Sequence, residues 1–501
     1  MRNPHNPVQT YVILGGGSAG WMAAALLGRI LKPTGARVIL VESPHVSTVG
    51  VGEATVPSFV DFIDILGIDK KDFIAKTQAT FKLGIKFTGW NGPDHHYWHP
   101  FGNVGAKIDA QPFFQQWLRC WYEGNKTTFT DYAPSAAMAQ GNKFYIPDPN
   151  KPNNLTRMGY ALHFDAVLVA EYLADYARRY KVEHIVSHVA QVHRTADGSI
   201  KALQLEDGSQ VEGECFIDCS GQRALLLGET LGVGYQDWSD YLPVNAAAVV
   251  PSEVAEDFPP YTEAIAELSG WRWRIPLQNR TGNGYVFCDR YCTEQQAKEQ
   301  LLAGVKEPVL SEPRVLRFIT GKRKTMWEKN CVAIGLASGF LEPLESTSIY
   351  LVMRALLNFI KLLPSRDFSE PTRREFNRLM DIEYHSLRDF LVMHYSTATR
   401  RDSDFWRSWA GRAIPNSLQL KLDLYRCQGR LVHNDLDLFA ADSWYAVLSG
   451  MGVLPADYDP VVQASNQQRV AQLLIGVESS LQHSVGQLLS HRAYLQQFLS
   501  L

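Results

Sequence analysis

Val12-Ile13-Leu14 is a short apolar run that stops at Gly15-Gly16-Gly17-Ser18-Ala19-Gly20, and from about Trp21 to Leu31 the apolar positions recur with helical spacing. A second run, Arg37 to Val41, closes on Glu42. Phe216-Ile217-Asp218-Cys219-Ser220-Gly221 and Val332-Ala333-Ile334-Gly335 each predict a strand that ends in small residues. Phe81 to Phe87 alternates, which predicts one strand with a buried face and with Lys82, Gly84 and Lys86 on the other. In Trp271-Arg272-Trp273-Arg274-Ile275-Pro276 the two indoles are two residues apart on an extended segment and point to one side. Beyond about residue 365 the pattern turns helical. An apolar helix is expected from roughly Thr347 to Leu363 and a charged amphipathic one from Glu375 to Arg400. Val470, Leu473, Leu474, Val477, Leu481, Val485, Leu488 and Leu489 form a core-facing stripe, which fits packing on the first region better than a coiled-coil dimer seam.

These elements predict an α/β fold with a Rossmann-like core and an added, mainly helical C-terminal region. Residues 1–365 would form the core, with interlocked segments at about 80–160 and 235–300, and residues 366–501 the helical region. Tyr11 to Leu27 is largely apolar, but its glycines argue against a signal peptide, and no run is long and apolar enough to span a bilayer. Lys plus Arg (49) nearly balances Asp plus Glu (52), so no field favours nucleic acid or an anionic membrane. Lys322-Arg323-Lys324 reads as a solvated turn. The seven cysteines are scattered, without zinc-type spacing, and fit free thiols in a reducing cytoplasm.

Gly15-x-Gly17-x-x-Gly20 between strand and helix is a dinucleotide-binding fingerprint. Gly15 permits the turn, Gly17 lets a pyrophosphate approach the backbone at the helix N-terminus, with Ser18 and Ala19 beside it, and Gly20 lets helix and strand pack. Glu42 stands where a ribose hydroxyl would be bound. Asp218 with Gly221, and Gly335 with Leu336, suit a second and third approach to the same FAD. Aromatic hydroxylases carry an Asp where this chain has Leu336. No second fingerprint offers an NAD(P)H site, so the flavin would arrive reduced.

The motifs together are collinear with one family. Gly15–Gly20 is followed by Trp21, Val51-Gly52-Glu53-Ala54-Thr55-Val56-Pro57, Phe81-Lys82-Leu83-Gly84-Ile85-Lys86-Phe87 and His99-Pro100-Phe101-Gly102. Then come Trp271-x-Trp273-x-Ile275-Pro276 and Gly339-Phe340-Leu341-Glu342-Pro343-Leu344-Glu345-Ser346-Thr347. To about residue 365 the chain resembles the flavin-dependent halogenases of the tryptophan halogenase family. The resemblance implies an FAD-binding fold of the aromatic-hydroxylase/glutathione-reductase type, with Gly52, Glu53, Ala54 and Trp21 joining the cofactor site. It implies use of FADH2, O2 and chloride or bromide, and a separate NAD(P)H-dependent flavin reductase.

By pattern alone Lys82 belongs to a solvated strand face. The resemblance makes it the lysine whose ammonium holds hypohalous acid, or whose amine becomes a haloamine. Glu345 alone reads as an acid near a helix start; the resemblance places it across the substrate, polarising the halogenating species or removing the ring proton, with Glu342 as alternative. By the same resemblance, backbone amides of Thr347 and Ser348 hold halide, although tryptophan-specific members have glycine at Ser348. Trp271, Trp273, Ile275, Pro276 and Ser346 wall the flavin from the substrate. His99, Phe101 and Trp444 flank the aromatic substrate. His95 and His99 could also suit a metal, but no third ligand is evident and none is expected. Leu438 to Leu448 lacks the paired tyrosines and glutamate that hold tryptophan's amine and carboxylate in the family, which favours indole or an indole derivative. A flavin aromatic hydroxylase and a catalytically silent FAD-binding protein are the rival readings. Either a monomer or a homodimer is compatible with the sequence.

Overall fold

The apolar run at Thr10–Leu14 becomes a central strand of a six-stranded sheet in the computed structural model, which describes residues 6–45 and 52–500. Val51 of the quoted motif lies outside the described residues. The strand order is Trp327–Glu328, Cys331–Ala333, Cys215–Asp218, Thr10–Leu14, Arg37–Glu42, Glu183–Val186, parallel except for the first. A parallel sheet must be covered on both faces, and the alternation of side chains shows how. Ile13, Leu40, Ile217 and Val332 face the main core beneath helix Ser18–Leu31. Val12, Leu14, Ile39, Val41 and Phe216 face a second cluster under a small antiparallel sheet that includes Ile200–Leu205.

A seven-stranded sheet stands beside this unit, in the order Arg314–Arg317, Ala246–Ser252, Thr281–Phe287, Gly270–Pro276, Thr262–Glu267, Gly84–Thr88, His96–Pro100. On Gly270–Pro276, Trp271, Trp273 and Ile275 share the buried face. Arg272 and Arg274 on the other face pair with Glu267 and Glu307. A three-stranded antiparallel sheet, Gly52–Ala54, Ala161–Asp165, Thr80–Lys82, links the two.

The expected strand over 81–87 is two strands. Thr80–Lys82 and Gly84–Thr88 lie in different sheets, and Leu83 turns the corner, donating to the Pro260 carbonyl (2.7 Å) and accepting from the Phe101 amide (2.8 Å). The corner buries both faces, so Lys82 is 0% exposed, not solvated. Lys322 corrects the reading of its basic run as a solvated turn. It sits in strand Gly321–Arg323, buried, with its ammonium 2.7 Å from Asp381.

Helices Thr347–Lys361 and Glu370–Ser396 pack on each other. Helix Gln467–Gly486 buries Val470, Leu474, Leu481 and Val485, leaves Leu473 and Val477 at 40% and 43% exposed, and ends before Leu488 and Leu489, so the expected stripe is narrower and shorter. The last helix, His491–Ser500, closes on the Lys82 strand. Phe81 stacks on Phe144 (4.1 Å) and meets Tyr494 and Phe498 edge-on, while its amide donates to His491 Nε2 (3.2 Å). Among the described residues no helix is long and apolar enough to cross a membrane.

A Cβ on Gly20 would run into the Gly15 carbonyl, so the helix and the turn that ends the strand touch backbone to backbone there. Gly20→Ala should cost about 1–3 kcal/mol through the forced displacement. A urea-unfolding midpoint equal to wild type would show that the crossing has slack.

Candidate active site

Gly15 adopts φ +116°, its amide donates to the Val41 carbonyl (2.8 Å), and a Cβ there would enter the Cys219 carbonyl. Gly17 differs, because a Cβ on it would meet nothing within 4 Å. That free space opens on a cleft of about 580 Å³ lined by Gly15, Gly17, Ser18, Ala19, Glu42, Gly52, Glu53, Ala54, Gly221, Gly335 and Leu336. Helix Ser18–Leu31 starts there with no side-chain cap, leaving its first amides for an anion. The cleft thus has the room and the free backbone amides that a dinucleotide needs.

Three of the expected cofactor residues support this cleft instead of lining it. Gly20 makes the contact between the helix and the turn that ends the strand. Trp21 is buried in the core, edge-on to His184 (4.9 Å), and His184 Nε2 is 2.7 Å from Glu42 Oε1. Asp218 is fully buried and accepts the amides of Leu226 (2.9 Å) and Leu227 (2.8 Å), fixing the turn below Gly221.

The opposite wall of the cleft carries Trp271, Trp273, Ile275, Glu345, Ser346 and Ser348. Trp271 Nε1 donates to Glu342 Oε2 (3.4 Å), which also accepts from Tyr395 Oη (2.9 Å). Pro276 is not on the wall. Its carbonyl accepts the Thr80 hydroxyl (2.7 Å) and so holds the Lys82 strand. Thr347, the first residue of its helix, is buried behind Ser348, with its hydroxyl unpartnered.

Lys82 is not among the described residues lining the cleft. Its ammonium donates to Ser346 Oγ (2.8 Å) and the Thr55 carbonyl (3.0 Å), and lies over Phe101 at 5.0 Å. Ser346 therefore touches the cleft on one side and Lys82 on the other. Burial pulls the Lys82 pKa down to about 7, with the Glu345 carboxylate opposing the fall. Glu345 and Ser346 are consecutive residues with φ +68° and +60°. The Glu345 carboxylate is buried between two imidazoles: His99 Nδ1 lies 2.6 Å from Oε2 and His394 Nε2 3.0 Å from Oε1. Burial alone would raise its pKa; the imidazoles outweigh that and hold it at about 2.

A profile of the tryptophan halogenase family matches residues 10–467. The chain belongs to the tryptophan halogenase family. It is a flavin-dependent halogenase, 34% identical over 453 residues to tryptophan 6-halogenase SttH of Streptomyces toxytricini, covering 85% of each chain. It is also 34% identical to tryptophan 7-halogenase RebH of Lentzea aerocolonigenes, covering 89% of this chain and 90% of that one. Its structure superposes on BrvH, a flavin-dependent halogenase from Brevundimonas sp. BAL3, with a TM-score of 0.94 and 38% identity, covering 98% of this chain and 99% of that one.

In this halogenase His99 is committed to Glu345, and Phe101 lies under Lys82. Trp444 stands further off, because Phe390 sits between it and His99, 5.1 Å and 5.5 Å from each, and stacks on Phe439 (4.0 Å). His394, Tyr395, Phe390 and Phe439 were not singled out in the sequence. The first three lie inside the charged helix Glu370–Ser396, where aromatic residues at helical spacing read as core.

Glu342, buried and with Oε1 unpartnered, has its pKa raised from 4.5 to about 8 by desolvation. Between those values the folded protein keeps a proton that the unfolded chain has lost, so this group's contribution to stability falls as pH rises through that window. Glu342→Gln retains a carbonyl for Tyr395 and Trp271 and cannot ionise. Its stability relative to wild type should climb between about pH 5 and pH 8 and then level off; a pH-independent difference in urea unfolding would refute the assignment.

Proposed function

We propose that this halogenase uses FADH2, O2 and chloride or bromide to halogenate an electron-rich ring, an indole or indole derivative, through Lys82 and Glu345. When bound, FADH2 supplies with O2 and halide the hypohalous acid that the remaining steps consume. The chain's residues then sort by position. Gly15, Gly17, Ser18, Ala19 and Glu42 hold the dinucleotide. The backbone amides of Thr347 and Ser348 begin helix Thr347–Lys361, where a halide is favoured without a cationic side chain. Trp271, Trp273 and Ile275 keep the organic ring out of the flavin cleft, and Ser346 marks the crossing point.

The observation that carries this reading is the buried Lys82 ammonium, 2.8 Å from Ser346 Oγ and absent from the described lining of the flavin cleft. A pKa near 7 leaves Lys82 largely amine above neutrality, and the amine is the form that accepts the halogen. Glu345, ionised beside it, removes the ring proton. Indole is favoured over tryptophan because the charged groups near Trp444 are already engaged. Asp442 accepts the Val104 amide (3.1 Å), and Lys421 lies 4.3 Å over the Trp444 ring. With free cysteines among the described residues and no reductase-type second fingerprint, the enzyme would work in the cytoplasm, beside a separate NAD(P)H-dependent flavin reductase.

The test supplies FAD, NADH, a flavin reductase and bromide, with indole and tryptophan in parallel reactions, and reads the bromine isotope doublet by mass spectrometry. Indole should be brominated faster than tryptophan. Lys82→Ala should bind FAD as wild type does and lose product by a factor on the order of a thousand. In wild type, product formation should rise as pH passes through about 7. No doublet with any electron-rich arene, despite bound and cycling flavin, would overturn the proposal.

A further inference from the structure

Glu345 Oε1 and His394 Nε2 lie 3.0 Å apart at the centre of the protein, both fully buried. Neither atom has another partner among the described residues. Two facing, unsatisfied polar atoms in a core are costly and call for a reason. Their surroundings supply one. The other carboxylate oxygen is held by His99 Nδ1 (2.6 Å), and His394 Nδ1 is 2.9 Å from Tyr97 Oη. Phe87 stacks on His394 (4.7 Å), and Phe390 meets His394 (5.4 Å) and His99 (5.5 Å) from the other side. The row Tyr97–His394–Glu345–His99 is thus a polar file in an aromatic sleeve, with Lys82 as the nearby cation acting on Glu345.

We propose that His394 is the terminal acceptor of the proton released from the substrate ring, and that Glu345 carries it there. The inference rests on the reading of Glu345 as the base. The ring C–H bond breaks, its electron pair restores the aromatic system, and the proton passes from Glu345 Oε1 to His394 Nε2. No oxidant beyond the halogen donor is needed. Glu345, held ionised first of all by His99 on Oε2, is too weak a base to keep the proton, although a halogenated, cationic ring is acidic enough to surrender it. The 3.0 Å gap is where the proton comes to rest, joining the two orphaned atoms by a charge-assisted hydrogen bond. The relay uses the tautomer in which Nδ1–H donates to Tyr97 Oη and Nε2 is free to take the proton. His394 acts through Glu345 and is a positioning and relay residue.

The holoenzyme, supplied with reduced flavin and bromide, is given indole or ring-deuterated indole in separate single-turnover reactions. Wild type should show equal rates, because loss of the ring proton follows halogen attack and is fast. His394→Phe fills the same space without an acceptor, and His394→Gln keeps a polar side chain facing Oε1 but cannot take up a proton. Either variant, shown to be folded by its FAD binding and melting temperature, should be slowed about tenfold or more, with a primary isotope effect of about two or more. A variant at wild-type rate, or one slowed with no isotope effect, overturns the relay. Full activity in Glu345→Gln, or no brominated product from wild type, would instead overturn the base assignment and the relay with it.

Discussion

The site depends on two consecutive residues held in a conformation that side-chain-bearing residues avoid. Glu345 and Ser346 have φ of +68° and +60°, immediately before helix Thr347–Lys361. Such positions cost on the order of 1–3 kcal/mol each and persist only where the surroundings over-determine them. Here they are fixed from every side: Lys82 grips the serine, His99 and His394 flank the glutamate, and the helix is anchored by the buried Ile349, Tyr350 and Val352. The reversed turn aims a hydroxyl and a carboxylate away from the helix axis, toward groups delivered by other elements.

Those groups arrive from distant parts of the chain. Lys82 comes from a short strand sealed by the final helix, His99 from the edge of the seven-stranded sheet, and His394 from the last turn of a long helix. Aromatic rings fill the space between them, so opposite charges act on one another with little screening. The same burial sets their chemistry: it pulls the lysine toward neutrality, while the imidazoles keep the glutamate ionised.

Much of this was legible in the chain, for identifiable reasons. The glycine turn is dictated by backbone sterics and a fixed βα spacing: a side chain at Gly15 or Gly20 would collide with backbone, and Gly17 faces open space. Trp271 and Trp273 follow from strand periodicity. The burial of Lys82 was not legible, because alternation predicts a face but not the corner at Leu83 that moves the lysine into another sheet. The Tyr97–His394 contact joins residues 297 positions apart. No local pattern marks such a pair, and a histidine among apolar helix positions reads as packing.

His394 and Tyr395 are neighbours on one helix, yet they reach different carboxylates: one faces Glu345, the other bonds to the Glu342 that holds Trp271. The dividing wall and the acid are therefore indexed to a single helical register. A chimaera that borrowed its C-terminal region from another halogenase would replace both supports unless the graft began after Ser396. An exchange that starts beyond Ser396 leaves the contacts to Glu345 and Glu342 in one piece.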